Sequence, residues 1–288
     1  MGVVVNTNIS SITASRILSE NRADLEKAME RLASGKRINS AADDAAGMAV
    51  AAKMRADIGS LNQSVRNTND AISLVNTYDG AAAEIESILI RMRELAVQTR
   101  NGTYETADRT NANFEYDALK NEITRIAGVS AFNRMTVGQG SSGAAGGTGV
   151  ADTTFTFYVG SDVAKTGNSI AFAAKALDLN LAVSSGTLNS VVDTASAGQA
   201  IATLDDAITE LAANRAQAGA LINRLEHTVS NLMNVSQRLQ EAVSGIEDAD
   251  YAAESANLAR GMVLAQAGTA MLAQANQAPQ YILSLLRG

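Results

Sequence analysis

Between residues 201 and 246 the apolar positions fall on a seven-residue beat. One seam reads Leu204, Leu211, Ala218, Leu225, Leu232, Leu239 and Ile246; a second reads Ile201, Ile208, Arg215, Ile222, Val229, Ser236 and Val243. A helix with this pattern is a rod ~70 Å long at ~1.5 Å per residue, too long for the core of a compact domain. It needs partner helices, and the rest of the chain supplies the pattern for them. Arg215 and Ser236 at seam positions either set register, as polar residues in coiled coils do, or are simply exposed.

In the N-terminal half, Leu18, Leu25 and Leu32 repeat every seven residues with Ala28 and Met29 beside them, which predicts a first helix over about 9–34. Gly35 is placed to end it in a left-handed turn. Ser40-Ala41-Ala42-Asp43 reads as a capping box opening a second, long helix that extends towards Asn101-Gly102. Its heptad lines are Met54, Leu61, Thr68, Val75 and Ile58, Val65, Ile72. Asp79-Gly80 breaks the beat, which resumes out of phase at Ile85, Ile88, Met92 and Leu95 and predicts a kink or register change. A third helix is expected over about 105–127, with Tyr116, Leu119, Ile123 and Ile126 on one face and Gly128 as its stop.

The pattern then changes. Residues 138–149 are half glycine and read as a flexible loop; it leads into no Gly-Lys-Ser/Thr, so this is not a phosphate loop. Thr154 to Val159 alternates polar and apolar, and Ser169 to Phe172 comes next, which predicts short strands in a hairpin or small sheet. Because both heptad systems are complete without this insert, it is expected to be dispensable, with its Ser and Thr residues facing solvent. After the 201–246 rod, Glu247, Asp248 and Asp250 are read as the stop and restart of two helices rather than as a cation site. A last helix starts near Tyr251 and aligns Leu258, Met262, Ala265 and Leu272. The fold class is therefore mainly α: a long antiparallel coiled-coil or helical bundle built from the N- and C-terminal halves, with a small β insert. The two halves mirror each other, so terminal helix should pair with terminal helix, with Gly35 and Gly245 at one level.

Composition removes most chemistry. The chain has no Cys, one His and a net charge of −7, which argues against disulfides, thiolate metal sites, His-dependent triads and phosphate-backbone binding. His227 sits on the flank of the rod and reads as an ordinary helix residue. Asp43 and Asp44 read as helix-start charges, the lesser alternative being contact with Lys36 or Arg37 across subunits. No enzyme activity, cofactor, metal or nucleic-acid binding is expected. The first residues lack a basic region followed by an apolar run, so no secretory leader is expected, and no apolar stretch is long enough to span a membrane.

Four segments resemble bacterial flagellin: LASGKRINSAADDAAGM (32–48), MRELAVQT (92–99), IEDADYA (246–252) and AQAGTAMLAQANQAPQYILSLLR (265–287). The family's Phe-Asn turn is present as Phe132-Asn133, but the next residues, RMTVGQGSSGAAGG, depart from the family's pattern. The middle is also short, as in a near-minimal member. The resemblance implies a structural subunit that self-assembles into the flagellar filament for swimming. It would leave the cell through the flagellar type III apparatus and reside outside it, on the bacterial flagellum. The alternative is a hook–filament junction protein, and a rival of another class is a secreted type III tip protein. Residues 1–44 and 249–288 would form the inner filament core, 45–135 and 195–248 the long-helix bundle, and 136–194 the surface region. The terminal helices carry too narrow an apolar stripe to fold stably alone and would fold on assembly. By the same resemblance, Leu18, Leu25, Leu32, Leu204, Leu211, Leu225, Leu232, Leu239, Leu258 and Leu272 are assembly seams. Arg91, Leu95 and Glu115 match the positions read by the vertebrate Toll-like receptor for flagellin. Leu283, Leu285 and Leu286 match the tail bound by an export chaperone and by cytosolic immune sensors. Filament cap and hook-junction proteins would be further partners.

Overall fold

The computed structural model describes residues 7–138, 153–160, 167–177 and 191–287, with side chains up to 277. The elements are α1 (Ile9–Ser34), α2 (Ala45–Arg100), α3 (Thr106–Val129), β1 (Ala131–Phe132), β2 (Met135–Thr136), β3 (Thr153–Tyr158), β4 (Ser169–Ala174), α4 (Thr194–Glu247) and α5 (Tyr251–Arg287). Contacts divide the chain into two units, 59–236 and 1–58 with 237–288; α2 and α4 contribute to both.

In the 59–236 unit, α2 buries one stripe: Ala71, Val75, Tyr78, Ala82, Ile85, Leu89, Met92, Ala96 and Thr99, none more than 1% exposed. These positions step by four and three without interruption, so the phase break expected at Asp79-Gly80 does not occur and α2 is continuous through it. The reason is that Tyr78 and Ala82 carry the seam across. A tyrosine and an alanine do not stand out in a pattern read from large aliphatics. Gly80 points into open space, and Asp79 accepts from Arg215 Nε at 2.9 Å. Arg215 also pairs with Glu86, one heptad further along α2. Its guanidinium therefore bridges positions one heptad apart on α2, and these hydrogen bonds, to Asp79 first and then Glu86, hold its pKa above the usual value. Ser236, the second polar seam residue, donates to Asn62 Oδ1 at 3.2 Å.

Opposite this stripe, α4 buries Ala197, Ala200, Leu204, Leu211, Ala218 and Leu225, and α3 adds Tyr116, Ile123 and Ala127. Burial, with Asp117 nearby as a lesser cause, pushes the Tyr116 hydroxyl well above its usual pKa. Helix α3 runs past Gly128 to Val129, where the Ser130 N–H closes the last turn on Ile126 O at 2.9 Å. A single glycine short of a helix end costs about 1 kcal/mol and does not by itself stop the helix. The two-residue turn between β1 and β2 places Asn133 at φ 49° and Arg134 at φ 66°, the twist that a tight hairpin requires.

Strands β3 and β4 pair antiparallel, with Phe155 opposite Phe172 and Phe157 opposite Ile170. Thr154 and Thr156 face solvent as expected. The other face does not. Phe172 meets the Tyr78 ring edge-on at 5.3 Å and 84°, and the Tyr78 hydroxyl donates to Lys175 O at 3.1 Å. Ala174, Leu177 and Val191 are at most 1% exposed in the same core. The Val191 N–H donates to Asn113 Oδ1 at 2.9 Å. The described part of the insert thus packs into this unit: its apolar side chains complete the helical core, which heptad counting along the helices cannot register. The glycine-rich 139–150 stretch lies outside the described residues.

Phe172→Ala should therefore cost about 3–5 kcal/mol as a buried aromatic truncation, while Thr156→Ala on the opposite face should stay within about 0.5 kcal/mol. Denaturant unfolding of the two variants checks this; equal losses would show that β4 packs on nothing.

Candidate assembly surface

The 1–58/237–288 unit is built on α1 against α5. Asn8 starts α1: its Oδ1 accepts from the Ser11 N–H at 3.1 Å, and its Nδ2 donates across to Ala275 O at 2.7 Å. Ser11 Oγ donates to Asn276 Oδ1 at 2.7 Å. Further along, the leucine heptad of α1 seats on glycines of α5. A Cβ on Gly268 would lie 3.1 Å from Leu18 Cδ1, and one on Gly261 would lie 3.3 Å from Leu25 Cβ. The glycines let the helices approach closely enough for each leucine to fill the gap.

This pairing revises the expected faces. The half-buried stripe of α5 runs Leu258, Gly261, Ala265, Gly268, Leu272. Met262, expected on the seam, is 53% exposed, and Met29, expected beside the α1 leucines, is 42% exposed. Leu18 and Ala28 are the buried apolar residues of α1, whereas Leu25 and Leu32 are half-buried. Glycine carries no hydrophobic signal, so the stripe was drawn through the nearest large residue. The signal that could have found it is the seven-residue spacing of Gly261 and Gly268, matching that of Leu18 and Leu25.

The connection after α1 is held by charge and backbone. Gly35 at φ 70° ends α1, with its N–H on Arg31 O. Gly35 O accepts from the Ala249 N–H at 3.0 Å, and the Tyr251 hydroxyl donates to Leu32 O at 2.9 Å. Gly245, expected at this level, lies inside α4 with open space around it; the level is set by the α4–α5 corner instead. The carboxylate of Glu247 is nearly buried, with Arg55 Nη2 at 2.8 Å and Lys36 Nζ at 3.6 Å. Arg31 Nη1 reaches Glu254 Oε1 at 3.0 Å. Asp250 caps α5 by accepting from the Ala252 N–H at 2.9 Å.

The start of α2 also differs from expectation. Ser40 is not its cap: Ser40 to Asp43 form a separate turn whose Asp43 Oδ2 accepts from the Asn39 N–H, the Ser40 N–H and Ser40 Oγ. Asp44 caps α2, accepting from the Gly47 N–H at 2.8 Å. The Ser40 backbone bond is the main cause holding Asp43 below its usual 3.8. A lowered folded-state pKa stabilises above the ordinary value and is lost as pH falls through the lowered one, so this turn loosens only in strong acid.

Among the described residues, several large apolar side chains of α1 and α5 find no cover. Ile9, Ile12, Ile17, Val263, Leu264 and Met271 are between 44% and 68% exposed. Ile9, Ile17, Leu264 and Met271 line an open groove of about 500 Å³ between the two helices. Among the described residues there is no cluster of metal-ligating side chains. A helix pair that leaves large apolar side chains outward offers a surface for association.

Residues 5–142 match the bacterial flagellin N-terminal helical region, and residues 201–286 match the bacterial flagellin C-terminal helical region. The chain belongs to the bacterial flagellin family. It is 41% identical to a flagellin of Halalkalibacterium halodurans, over 99% of this chain and 100% of that one. It is 38% identical to the flagellar filament 33 kDa core protein of Treponema phagedenis, over 99% and 100%, and 38% identical to a flagellin of Bacillus subtilis, over 98% and 99%. This flagellin is a structural subunit that polymerises with copies of itself into the flagellar filament, outside the cell, and is not an enzyme.

Of the remaining positions singled out from the flagellin sequence, Arg91 and Glu115 come together: Arg91 Nη2 lies 2.9 Å from Glu115 Oε1, and Arg91 Nη1 lies 3.0 Å from Glu94 Oε2. Leu95, 2% exposed, points into the helical core beneath them. Leu204, Leu211, Leu225 and Leu232 are buried; Leu239, Leu258 and Leu272 are half-buried. The side chains of Leu283, Leu285 and Leu286 lie outside the described residues.

Gly261→Val should force α1 away from α5, because the new branch would enter the space of Leu25. Gly59→Ala, where nothing lies within 4 Å, should stabilise by about 0.5–1 kcal/mol. Hydrogen exchange of the α1 amides checks the contrast; unchanged protection in Gly261→Val would show that the helices are not held at this distance.

Proposed function

We propose that the outward apolar face of α1 and α5 is the surface on which successive copies of this chain pack, so that residues 1–44 and 249–288 form the inner core of the filament. In this reading 45–135 and 195–248 form the surrounding bundle, and 136–194 faces outward. The observation that carries it is the groove lined by Ile9, Ile17, Leu264 and Met271. These side chains are large, apolar and uncovered, on a helix pair whose opposite sides already meet through leucine and glycine. Covering each one returns about 1.5–3 kcal/mol, a gain that depends on a second copy being present. The terminal helices accordingly take lasting structure on assembly.

The same reading has the subunit leave the cell through the flagellar type III apparatus, with an export chaperone on the tail that holds Leu283, Leu285 and Leu286. Filament cap and hook-junction proteins would meet the two ends of the polymer. A vertebrate Toll-like receptor would read the exposed Arg91–Glu115 pair, which Leu95 positions from beneath.

Ile17→Ser with Leu264→Ser should leave export and the helicity of the 59–236 unit intact while raising the concentration needed for polymerisation by about 100-fold, on the loss of two interface side chains. Sedimentation of seeded subunits measures it, and growth at the wild-type concentration would overturn the reading. Arg91→Ala should change stability by less than about 1 kcal/mol, since its pairs are exposed, yet weaken the receptor response. Leu95→Ala should instead cost about 2–5 kcal/mol of folding stability. A receptor reporter assay beside thermal unfolding separates the two effects.

A further inference from the structure

We propose that Met29, Met262 and Met271 are separate oxidation-sensitive positions on α1 and α5 through which peroxides block polymer growth. The proposal rests on the assembly reading above. The three thioethers are 42%, 53% and 64% exposed, all on α1 and α5, and Met271 lines the apolar groove. Met92, by contrast, is fully buried. The chain has no Cys and no Trp, so exposed methionine sulfur is its most readily oxidised group.

The chemistry needs a peroxide as co-reactant and nothing else. A sulfur lone pair attacks one peroxide oxygen; the S–O bond forms as the O–O bond breaks. The transferred oxygen sheds its proton and the departing oxygen takes one up, leaving as water when the oxidant is hydrogen peroxide. The sulfide is oxidised by two electrons to the sulfoxide, and the peroxide is reduced. A flexible apolar side chain thereby becomes polar. On a face that must lose its water to pack against another copy, the sulfoxide oxygen of Met271 needs a hydrogen-bond donor; Ile9, Ile17 and Leu264 supply none from their side chains, and the Thr13 hydroxyl already donates to Ile9 O, which leaves Ser10 and Asn21 as the donors along the groove. Within the polymer the same sulfurs are covered, so the free subunit is the vulnerable form and the finished filament is protected.

The experiment treats subunits and preformed filaments with hydrogen peroxide, locates the added oxygen by peptide mass, and measures the concentration needed for seeded growth. Subunits should gain oxygen at all three positions and need about tenfold more protein to polymerise, with methionine sulfoxide reductase restoring growth. In filaments the three positions should stay reduced. A subunit carrying Met29→Leu, Met262→Leu and Met271→Leu should polymerise equally before and after peroxide. Met271→Gln, polar without any oxidant, should impair growth on its own. Oxidised wild-type subunits that grow normally, or a triple-leucine variant that loses growth to the same extent, would overturn the proposal. If Ile17→Ser with Leu264→Ser abolishes growth while peroxide leaves wild-type growth unchanged, the oxidation site alone falls and the assembly face stands.

Discussion

Everything in this molecule depends on helices meeting along stripes that recur every seven residues and are filled as often by alanine or glycine as by leucine. Small residues bury little apolar area by themselves. What they supply is proximity, so that a leucine or tyrosine from the facing helix fills the interval and makes the dispersion contacts that a wider separation would forfeit. Leu18 on Gly268 and Leu25 on Gly261 are two instances of this pairing. It also explains why Phe172 and Leu177 of the β region belong to the helical core. Alanine-rich stripes leave gaps that only a side chain from another element can fill.

The same economy leaves α1 and α5 with two different faces. One is closed within the chain by leucine, glycine and the polar bonds of Asn8 and Ser11. The other holds isoleucine, leucine, valine and methionine in the open. For a subunit that polymerises with copies of itself, this division is useful: the inward contact is thin, and the outward face stays uncovered within the chain.

Charge adds register where apolar contact is permissive. Removing one partner of a buried ion pair strands the other, at a cost of about 3–5 kcal/mol. Glu247, nearly buried between Arg55 and Lys36, therefore penalises any slip of the α4 end. Arg215 acts similarly in the other unit by spanning Asp79 and Glu86, though with more exposure and less force. Neither arrangement resembles a catalytic constellation. Each is a geometric stop for helices that could otherwise slide by a heptad.

The helical class, the extent of α1, the C-terminal end of α4, the β3–β4 strands and the family were all legible in the chain, whereas α4 starts at Thr194, two turns before the heptad beat at Ile201. Periodicity, glycine stops and segment wording are local properties, decided by residues within a turn or two of one another. Asp250 as a helix start was legible for the same reason. What eluded the sequence involved residues whose role depends on what faces them. Asp44 rather than Ser40 caps α2 because Ser40 is held in its own turn by Asp43. Tyr78 continues the seam because Phe172 receives its ring. Gly261 and Gly268, not Met262, define the inner face of α5 because Leu18 and Leu25 arrive from the other end of the chain. Sequence alone determined that these segments are helices with one apolar side to bury. Tertiary structure decided which side is buried in the chain and which stays exposed, because a glycine announces a contact only when the leucine that occupies its space is present.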